Sequence, residues 1–451
     1  MVKRLIFFIL TFLIAGHFLH LNAQETEWTL RQCIDYACEN NLQVRQAGVE
    51  VMKNENLLKK SKLAFIPNFN AYVNDNLNWG RSVDLKDLTI LNNTFSQNVS
   101  GSIGASIYLL DGLSKHFNLK SSAMAKEISI RNVEKLKYEL SVQITRAYLQ
   151  VLLSDKLLET SKANLSSISQ QRDRTKILFE EGSQPYSAFL DMESQVASER
   201  SRVVSASSDL KKNMLNLMQL LDLQYEKKVK IAIPDSSVMA GYVSGYGLQN
   251  SDELYQAAVA LPSIRMAELS LEKSKVDLKA AKGKYYPTIS MSASYGSYFS
   301  TTAQGRDGRS YPYYDQINNN INPTLGFSLT IPIFNGWNVA CNVRNAQLNV
   351  KNQEIELEIS RQNLYKDIQQ AVTDAESFYE KMVASKVNMD SMEETLKFTE
   401  GKFNAGALNS TDYIVARTKC AAAQSEYYQS LYQFVFQLKI IDFYKLIPIE
   451  L

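Results

Sequence analysis

The chain contains very little histidine, and this scarcity limits the chemistry that it can perform. Of three histidines, His17 and His20 lie in an apolar N-terminal segment, which leaves His116 alone further along. No group of His, Cys, Asp and Glu has the spacing of a metal site. Neither a nucleophile elbow nor a phosphate-binding loop occurs. We therefore expect no catalytic residue, no metal and no cofactor, and hence a protein that is not an enzyme.

Excess charge and long apolar runs are also missing. The chain has 49 Lys and Arg against 47 Asp and Glu, a balance that provides no attraction for nucleic acid. Beyond Ala23, no apolar run reaches the ~18 residues that a membrane-spanning helix requires. Any insertion into a bilayer would therefore use β-strands.

The N-terminal residues have the pattern of a signal peptide. Lys3 and Arg4 precede an apolar run, Leu5–Leu21, and the small residue Ala23 follows it. We predict that residues 1–23 are a signal peptide, cleaved after Ala23, and that the protein is exported. The alternative is an uncleaved anchor, for which the run is short.

Cysteine is scarce, and the four cysteines are badly placed for pairing. In an exported protein they could form disulfides. Cys33 and Cys38, however, point in different directions from one predicted helix. Cys341 lies at the start of the second long helix, and Cys420 lies 14 residues beyond its far end, so the two should be far apart. We predict four free, packed thiols.

Glycine and proline are absent from one long stretch, which predicts a helix of unusual length. Neither residue occurs between Gly112 and Gly182, and Gly336 and Gly406 repeat the same spacing of 70 residues. A continuous helix of this length would span roughly 100 Å. Shorter return helices follow each turn, the first from Ser187.

The first long helix carries a heptad pattern on more than one side. Steps of four and three residues connect a seam of apolar and small side chains: Leu140, Ile144, Ala147, Val151, Ser154, Leu158, Ser161, Leu165 and Ile168. Other leucines fall off this seam: Leu149, Leu152, Leu153 and Leu157. This pattern predicts packing in a cylinder of several helices.

Segments that precede the long helices alternate apolar and polar residues with period two. They predict four strands of about 9–11 residues, near 69–73, 103–109, 289–295 and 324–333, with loops at about 79–97 and 300–322. Such strands fit a tilted membrane crossing, with the Asn- and Ser-rich face toward water. The alternative is a soluble β-sandwich with buried apolar faces.

The whole pattern occurs twice. Pro67 matches Pro287 at an offset of 220 residues, and Gly182 matches Gly406 at an offset of 224. We predict a first structural repeat over 24–235 and a second over 236–451.

Four strands cannot close a membrane barrel, and open edges are not tolerated in lipid. Among oligomers with eight or twelve strands, only twelve leave room for a channel, which favours a trimer.

Over nearly all of its mature length, the chain resembles the TolC family of outer-membrane efflux and secretion channels. The resemblance rests on the doubled plan and on the turn segments Phe179–Gly182 and Phe403–Gly406, which are followed by Tyr186–Asp191 and Ser410–Val415. It implies a mixed α+β membrane protein: a homotrimeric twelve-stranded β-barrel, four strands per chain, that continues into a long antiparallel α-helical barrel.

The same resemblance implies the location and partners. It places the protein in the lipid of the cell outer membrane, with a long periplasmic extension. It implies docking on a periplasmic adaptor (membrane fusion) protein linked to an inner-membrane transporter, in an efflux pump or a type I secretion system. The predicted function is a passive conduit gated at its periplasmic helical tip. The alternative is an exported coiled-coil interaction protein, an adaptor or an adhesin, without a pore.

The resemblance also assigns residues to the periplasmic tip. It places Asp412, Thr411 and Ser187 at a pore constriction. It places four further residues in the tip turns: Gly182, Phe403, Gly406 and Leu408. A simpler interpretation of Asp412 is a solvated carboxylate at a helix N-terminus, where the dipole favours negative charge.

The tip departs from the family pattern at several positions. Val415 occupies the place of a second acidic residue, and Ala188 that of a polar one. Phe403 and Leu408 replace a tyrosine and an arginine that make closing contacts. We therefore expect apolar packing of Phe403 and Leu408 in place of a polar lock.

Overall fold

The structure is a computed structural model that describes residues 27–83, 90–223, 230–234, 241, 247, 249–303 and 309–450. The predicted signal peptide, residues 1–23, lies outside these ranges. The helices and strands in chain order are β1 (Glu27–Trp28), α1 (Leu30–Asn40), α2 (Leu42–Leu63), β2 (Asn68–Val83), β3 (Ile90–Asp111), α3 (Ser114–Glu180), α4 (Tyr186–Leu220), β4 (Lys230–Ile231), α5 (Ser251–Ala258), α6 (Pro262–Gly283), β5 (Thr288–Ser300), α7 (Tyr313–Asn319), β6 (Asn322–Thr330), α8 (Asn338–Asn404) and α9 (Ser410–Tyr444).

Helix lengths recur between the two halves of the chain. The long helices α3 and α8 each have 67 residues, and the return helices α4 and α9 each have 35. Helices α2 and α6 each have 22. The predicted long helices are therefore confirmed, with ends within two residues of the glycines that bound them.

The chain divides into two compact units, and each draws on both predicted repeats. The helical unit comprises the described parts of Met1–Ala47, Val133–Pro262 and Arg361–Leu451. The sheet unit comprises those of Gly48–Asn132 and Ser263–Ser360. The division into repeats 24–235 and 236–451 is a sequence relationship and stays a prediction.

The sheet unit contains one antiparallel sheet with the strand order β2-β3-β5-β6. Its apolar side chains lie on a face that is open within one chain: Val73 is 79% exposed and Phe327 is 66% exposed. No second sheet covers this face in the described part of the chain, so the soluble β-sandwich is wrong. Strands β2 and β6 form the two edges of the sheet.

The predicted loop at 79–97 is wrong, because strands occupy most of it. Strands β2 and β3 stay paired through Asn76 with Asn98 and Trp79 with Phe95, whose ring centroids lie 5.4 Å apart. The alternation of apolar and polar residues continues through this part of β2, and asparagines occupy the polar face of the strand. Strands β2, β3 and β5 have 16, 22 and 13 residues, longer than predicted, whereas β6 has 9 and ends before the predicted boundary. Helix α7 lies within the second predicted loop, 300–322.

The junctions between strand and long helix share one backbone conformation. Gly112 and Leu113 have φ values of +65° and +63°, and Gly336 and Trp337 have +60° and +65°. Two consecutive left-handed residues turn the chain sharply, which favours glycine at the first position. Gly112 also contacts the backbone of Gly283 so closely that a Cβ on either residue would overlap the other's carbonyl.

The helical unit has its main core around α3. Most of the predicted seam is buried, including Ile144, Val151 and Ile168, and so are the off-seam Leu149, Leu152 and Leu153. The prediction that this helix packs on more than one side is therefore confirmed. None of the described helices has the length and apolarity needed to cross a bilayer.

A short parallel pair of strands, β1 and β4, closes one side of this core. The hydroxyl of buried Tyr148 donates to the carbonyl of Ala232, 2.6 Å away. All four cysteines are free, as predicted, but Cys341 is exposed, so not all of them are packed. Burial raises the pKa of the Cys33 thiol to about 12.

Candidate constriction at the helical turns

Two antiparallel hairpins end in closely similar turns. The first hairpin is α3 with α4, and the second is α8 with α9. Gly182 and Gly406 adopt φ values of +76° and +73°, a left-handed conformation that a residue with a Cβ rarely adopts. Their N–H groups donate to the carbonyls of Phe179 and Phe403, at 2.9 and 3.0 Å. The next N–H in each turn reaches back five residues, which completes a Schellman motif.

The return helices begin differently after these turns. In the second hairpin, the Asn409 side chain caps α9 by accepting the N–H of Asp412 at 2.7 Å. In the first hairpin, Pro185 precedes α4 and makes no side-chain cap. The Asp412 carboxylate is therefore held at a capped helix N-terminus, where the dipole stabilises negative charge.

The three predicted constriction residues lie on the surface of one chain. Thr411 and Asp412 are exposed in the first turn of α9, and Ser187 is exposed in the first turn of α4. Among the described residues, no hydrogen bond joins Ser187 to Thr411 or Asp412. The single chain therefore leaves these groups open to solvent and to other chains.

The side chain of Phe403 is buried between the two hairpins. It is 3% exposed and stacks on Tyr413, with ring centroids 5.0 Å apart and planes at 11°. A small apolar cluster surrounds the pair, with Ile168 from α3 and Met192 from α4. Leu408 packs against this cluster as a partly buried side chain. The replacements at the tip thus form apolar packing within one chain.

Arg417 is a site residue that sequence reasoning missed. It is 5% exposed, yet its guanidinium spans both hairpins. Nη1 donates to the Tyr413 hydroxyl at 3.0 Å, and Nη2 donates to the carbonyl of Asn164 on α3 at 3.1 Å. Burial raises the pKa of Tyr413, and the positive charge of Arg417 opposes that shift. The only sequence signal was the i, i+4 spacing of Tyr413 and Arg417 on one helix.

Two further hydrogen bonds between the hairpins accompany Arg417. The Ser410 hydroxyl donates to the Asp191 carboxylate at 2.7 Å, and the Gln171 amide donates to Asn404 at 3.1 Å. The Nε of Arg417 is buried and has no hydrogen-bond partner among the residues that the structure describes. The hairpins are therefore joined by a cluster that is partly apolar, partly hydrogen-bonded and not fully satisfied.

The first turn carries an aromatic group that is open to solvent. Tyr186 lies 5.1 Å from Phe179 and 6.1 Å from Phe189, measured between ring centroids. Tyr186 and the adjacent Leu190 are about half exposed. The second turn buries its aromatics, so the two turns present different surfaces.

The described residues contain no cluster of three or more His, Cys, Asp or Glu that could hold a metal. His116 is exposed, and its ring lies 5.8 Å from that of Phe117. The arrangement at the turns therefore consists of caps, stacking and hydrogen bonds between helices.

Two long helical hairpins and an antiparallel sheet with an exposed apolar face define the class of outer-membrane channels with helical extensions. The model of one family, described as outer membrane efflux protein, matches residues 33–222 and 254–438. The chain belongs to this family. The predicted TolC-like resemblance and the predicted location, the outer membrane with a long periplasmic extension, are thereby confirmed.

Individual relatives are distant in sequence but close in fold. The outer membrane protein TolC of Vibrio cholerae is 20% identical over 299 residues, which cover 66% of this chain and 65% of the relative, just under two thirds of its length. A crystal structure of CusC has a TM-score of 0.77 at 17% identity and covers 93% of each chain. The Campylobacter jejuni outer membrane channel CmeC has a TM-score of 0.77 at 12% identity, over 92% of this chain and 85% of its own.

Proposed function

We propose that the chain is the outer-membrane component of a tripartite efflux pump or a type I secretion system. In this proposal it acts as a passive conduit from periplasm to exterior and has no catalytic activity. The observation that carries the proposal is the sheet of the sheet unit, which has two open edges and one exposed apolar face.

The open edges call for closure by other copies. In a bilayer, the unpaired N–H and C=O groups of β2 and β6 would have no water to bond, so each edge needs a strand partner. Three copies give twelve strands, enough for a water-filled lumen, whereas two copies give eight strands and a lumen filled by side chains. Apolar residues such as Val73 and Phe327 then face lipid, and the Asn- and Ser-rich face lines the lumen.

We place the gate at the helical turns. Three copies of Asp412, with Thr411 and Ser187, would form a ring at the narrowest point, and their exposure in one chain supports this assignment. A ring of carboxylates attracts cations and disfavours anions. The turns at Gly182 and Gly406, with the buried Phe403 and its neighbour Leu408, would hold this ring in position.

We further propose that the turns dock on a periplasmic adaptor that is linked to an inner-membrane transporter. Membership of the family supports this assignment, and the exposed ring of Tyr186, beside the partly buried Phe179, offers a suitable contact surface. The equal lengths of the paired helices support an internal two-fold repeat with the predicted bounds of 24–235 and 236–451.

Purification and bilayer recording test the proposal together. Membranes are solubilised in mild detergent, native mass spectrometry counts the chains, and the same sample is inserted into planar bilayers. We expect three chains per particle and a stable conductance. Asp412→Asn should lower the cation selectivity of that conductance. A soluble periplasmic monomer, or a trimer without conductance, contradicts the proposal.

The alternative of a pore-free coiled-coil adaptor or adhesin is disfavoured. It does not account for a sheet with an open apolar face, and the family to which the chain belongs is described by efflux. The bilayer recording above distinguishes the two, because a pore-free protein would give no conductance.

A further inference from the structure

A cavity of about 650 Å³ lies in the sheet unit, beside the C-terminal end of α2. Four polar side chains of its wall come from one face of the sheet. Asn68 pairs with Ser106, and Tyr108 pairs with Ser290, and directly paired residues point to the same side. This is the face that lines the lumen in the proposed function, on which this inference rests.

Three lysines contribute positive charge to the wall of the cavity. Lys59 and Lys60 lie on α2, and Lys115 lies at the start of α3. None of them forms an ion pair within the described chain, although nearby Lys126 pairs with Glu55 at 3.2 Å. Like charges gathered in one concave site repel each other and attract an anion.

The position of Lys115 is fixed by its surroundings. Its ammonium group donates to the carbonyl of Tyr108 at 3.1 Å, and it lies 5.6 Å from the Tyr108 ring centroid and 5.9 Å from that of Phe65. Apolar side chains of Leu63, Ala64 and Ile66 complete the wall. Positive charge and apolar surface therefore adjoin in one cavity.

A strand–helix junction of this kind forms without two of the three lysines. At the offsets that relate the two halves of the sequence, Lys60 aligns with Ala280 and Lys115 aligns with Val339. The second strand–helix junction thus forms without the full lysine cluster. The cluster is a property of the first junction alone, which points to a role other than support of the backbone.

We propose that this cavity is a lumenal binding site for small organic anions with an apolar or aromatic body, such as aromatic sulfonates and carboxylates. Its volume lies within the ~300–1,000 Å³ typical of ligand sites, which combine apolar walls with a few placed polar groups. Lys59, Lys60 and Lys115 bind the acidic group, and the Tyr108 ring with the side chains of Leu63 and Ile66 contacts the body. Anionic amphiphiles would then be retained briefly on their way through the conduit.

Equilibrium dialysis with labelled naphthalene-1-sulfonate tests the site directly. The full-length protein is embedded in phosphatidylcholine nanodiscs, with empty nanodiscs as background. The cavity variant is Lys59→Gln/Lys60→Gln/Lys115→Gln. The matched control, Lys53→Gln/Lys62→Gln/Lys120→Gln, removes the same charge from neighbouring positions on the same helices outside the cavity.

We expect saturable binding to the wild type and the control with dissociation constants within twofold of each other. Binding to the cavity variant should be at least tenfold weaker. As competitors, inorganic sulfate and uncharged naphthalene-1-methanol should each be at least tenfold weaker than unlabelled naphthalene-1-sulfonate. Sulfate lacks the aromatic body, and naphthalene-1-methanol lacks the acidic group. Equal binding by the cavity variant, or an equal loss in the control, overturns the proposal.

Two further arms separate the possible failures. If phosphatidylglycerol nanodiscs abolish binding to the wild type and the control, the cavity holds a lipid headgroup and the lumenal assignment is overturned. Bilayer recordings of the same preparation report the conduit independently. Conductance without charge-dependent binding overturns the site alone, and binding without conductance supports the site while contradicting the proposed conduit.

Discussion

Replacing Arg417 tests whether a buried polar link holds the two hairpins together. Arg417→Met keeps most of the side-chain volume and removes both donors. The Asn164 carbonyl lies inside α3 and retains its intrahelical partner, whereas the Tyr413 hydroxyl is left buried with no partner. A buried unsatisfied hydroxyl costs about 1–3 kcal/mol.

Loss of the buried guanidinium offsets part of the cost of the unsatisfied hydroxyl, and a second substitution removes the hydroxyl itself. The guanidinium is itself buried, with its Nε unpaired, so its removal relieves some desolvation. Adding Tyr413→Phe eliminates the orphaned hydroxyl. We therefore expect Arg417→Met alone to be destabilising and the double variant Tyr413→Phe/Arg417→Met to recover most of the loss.

Hydrogen–deuterium exchange measures the effect where it arises. Peptides that cover residues 160–175 and 410–420 should exchange about 5- to 150-fold faster in Arg417→Met, the factor that corresponds to 1–3 kcal/mol. Exposed Arg200 on α4 is the matched control, and Arg200→Met should leave both peptides unchanged. The reasoning is refuted if Arg417→Met exchanges like the wild type, or if the double variant exchanges as fast as Arg417→Met.

Three further predictions concern the junctions, the gate and a thiol. Gly112→Ala should lower the yield of folded oligomer far more than Gly336→Ala. Both glycines have positive φ, but only a Cβ at position 112 would overlap a backbone carbonyl. Equal yields of the two variants on native gels would contradict this prediction. Asp412→Ala should reduce cation selectivity and divalent block in single-channel recordings, and unchanged values would remove Asp412 from the gate. At pH 8, alkylation of Cys33 should be at least 100-fold slower than alkylation of exposed Cys341. Burial raises the pKa of the Cys33 thiol to about 12 and leaves little thiolate. Similar alkylation rates by mass spectrometry would contradict this prediction.

The ends of the long helices were predictable because the residues at those ends determine them. Gly182 and Gly406 must adopt a left-handed conformation, so the sequence that ends each helix is nearly the same in both hairpins. Heptad spacing then identified most of the buried face of α3. These features depend on neighbours within a few turns, which a single sequence displays directly.

The strands were underestimated because composition was given more weight than period. Asparagines such as Asn76 suggest a loop, but they alternate with Leu77 and Trp79 and fill the polar face of β2. Arg417 could not be predicted, because its partner Asn164 lies 253 residues away in sequence. A contact across two hairpins has no local pattern.

The unfinished sheet has a consequence for the order of assembly. The helical unit closes its core within one chain, around residues such as Ile144 and Phe434. In the proposed trimer, the last hydrogen bonds of the sheet form only between chains, so its completion depends on the concentration of other copies. In that arrangement, a single chain would keep two unpaired sheet edges until it met two other copies, and slow assembly would expose it to aggregation. The proposed trimer therefore implies that the supply of copies to one membrane site would limit how much channel matures.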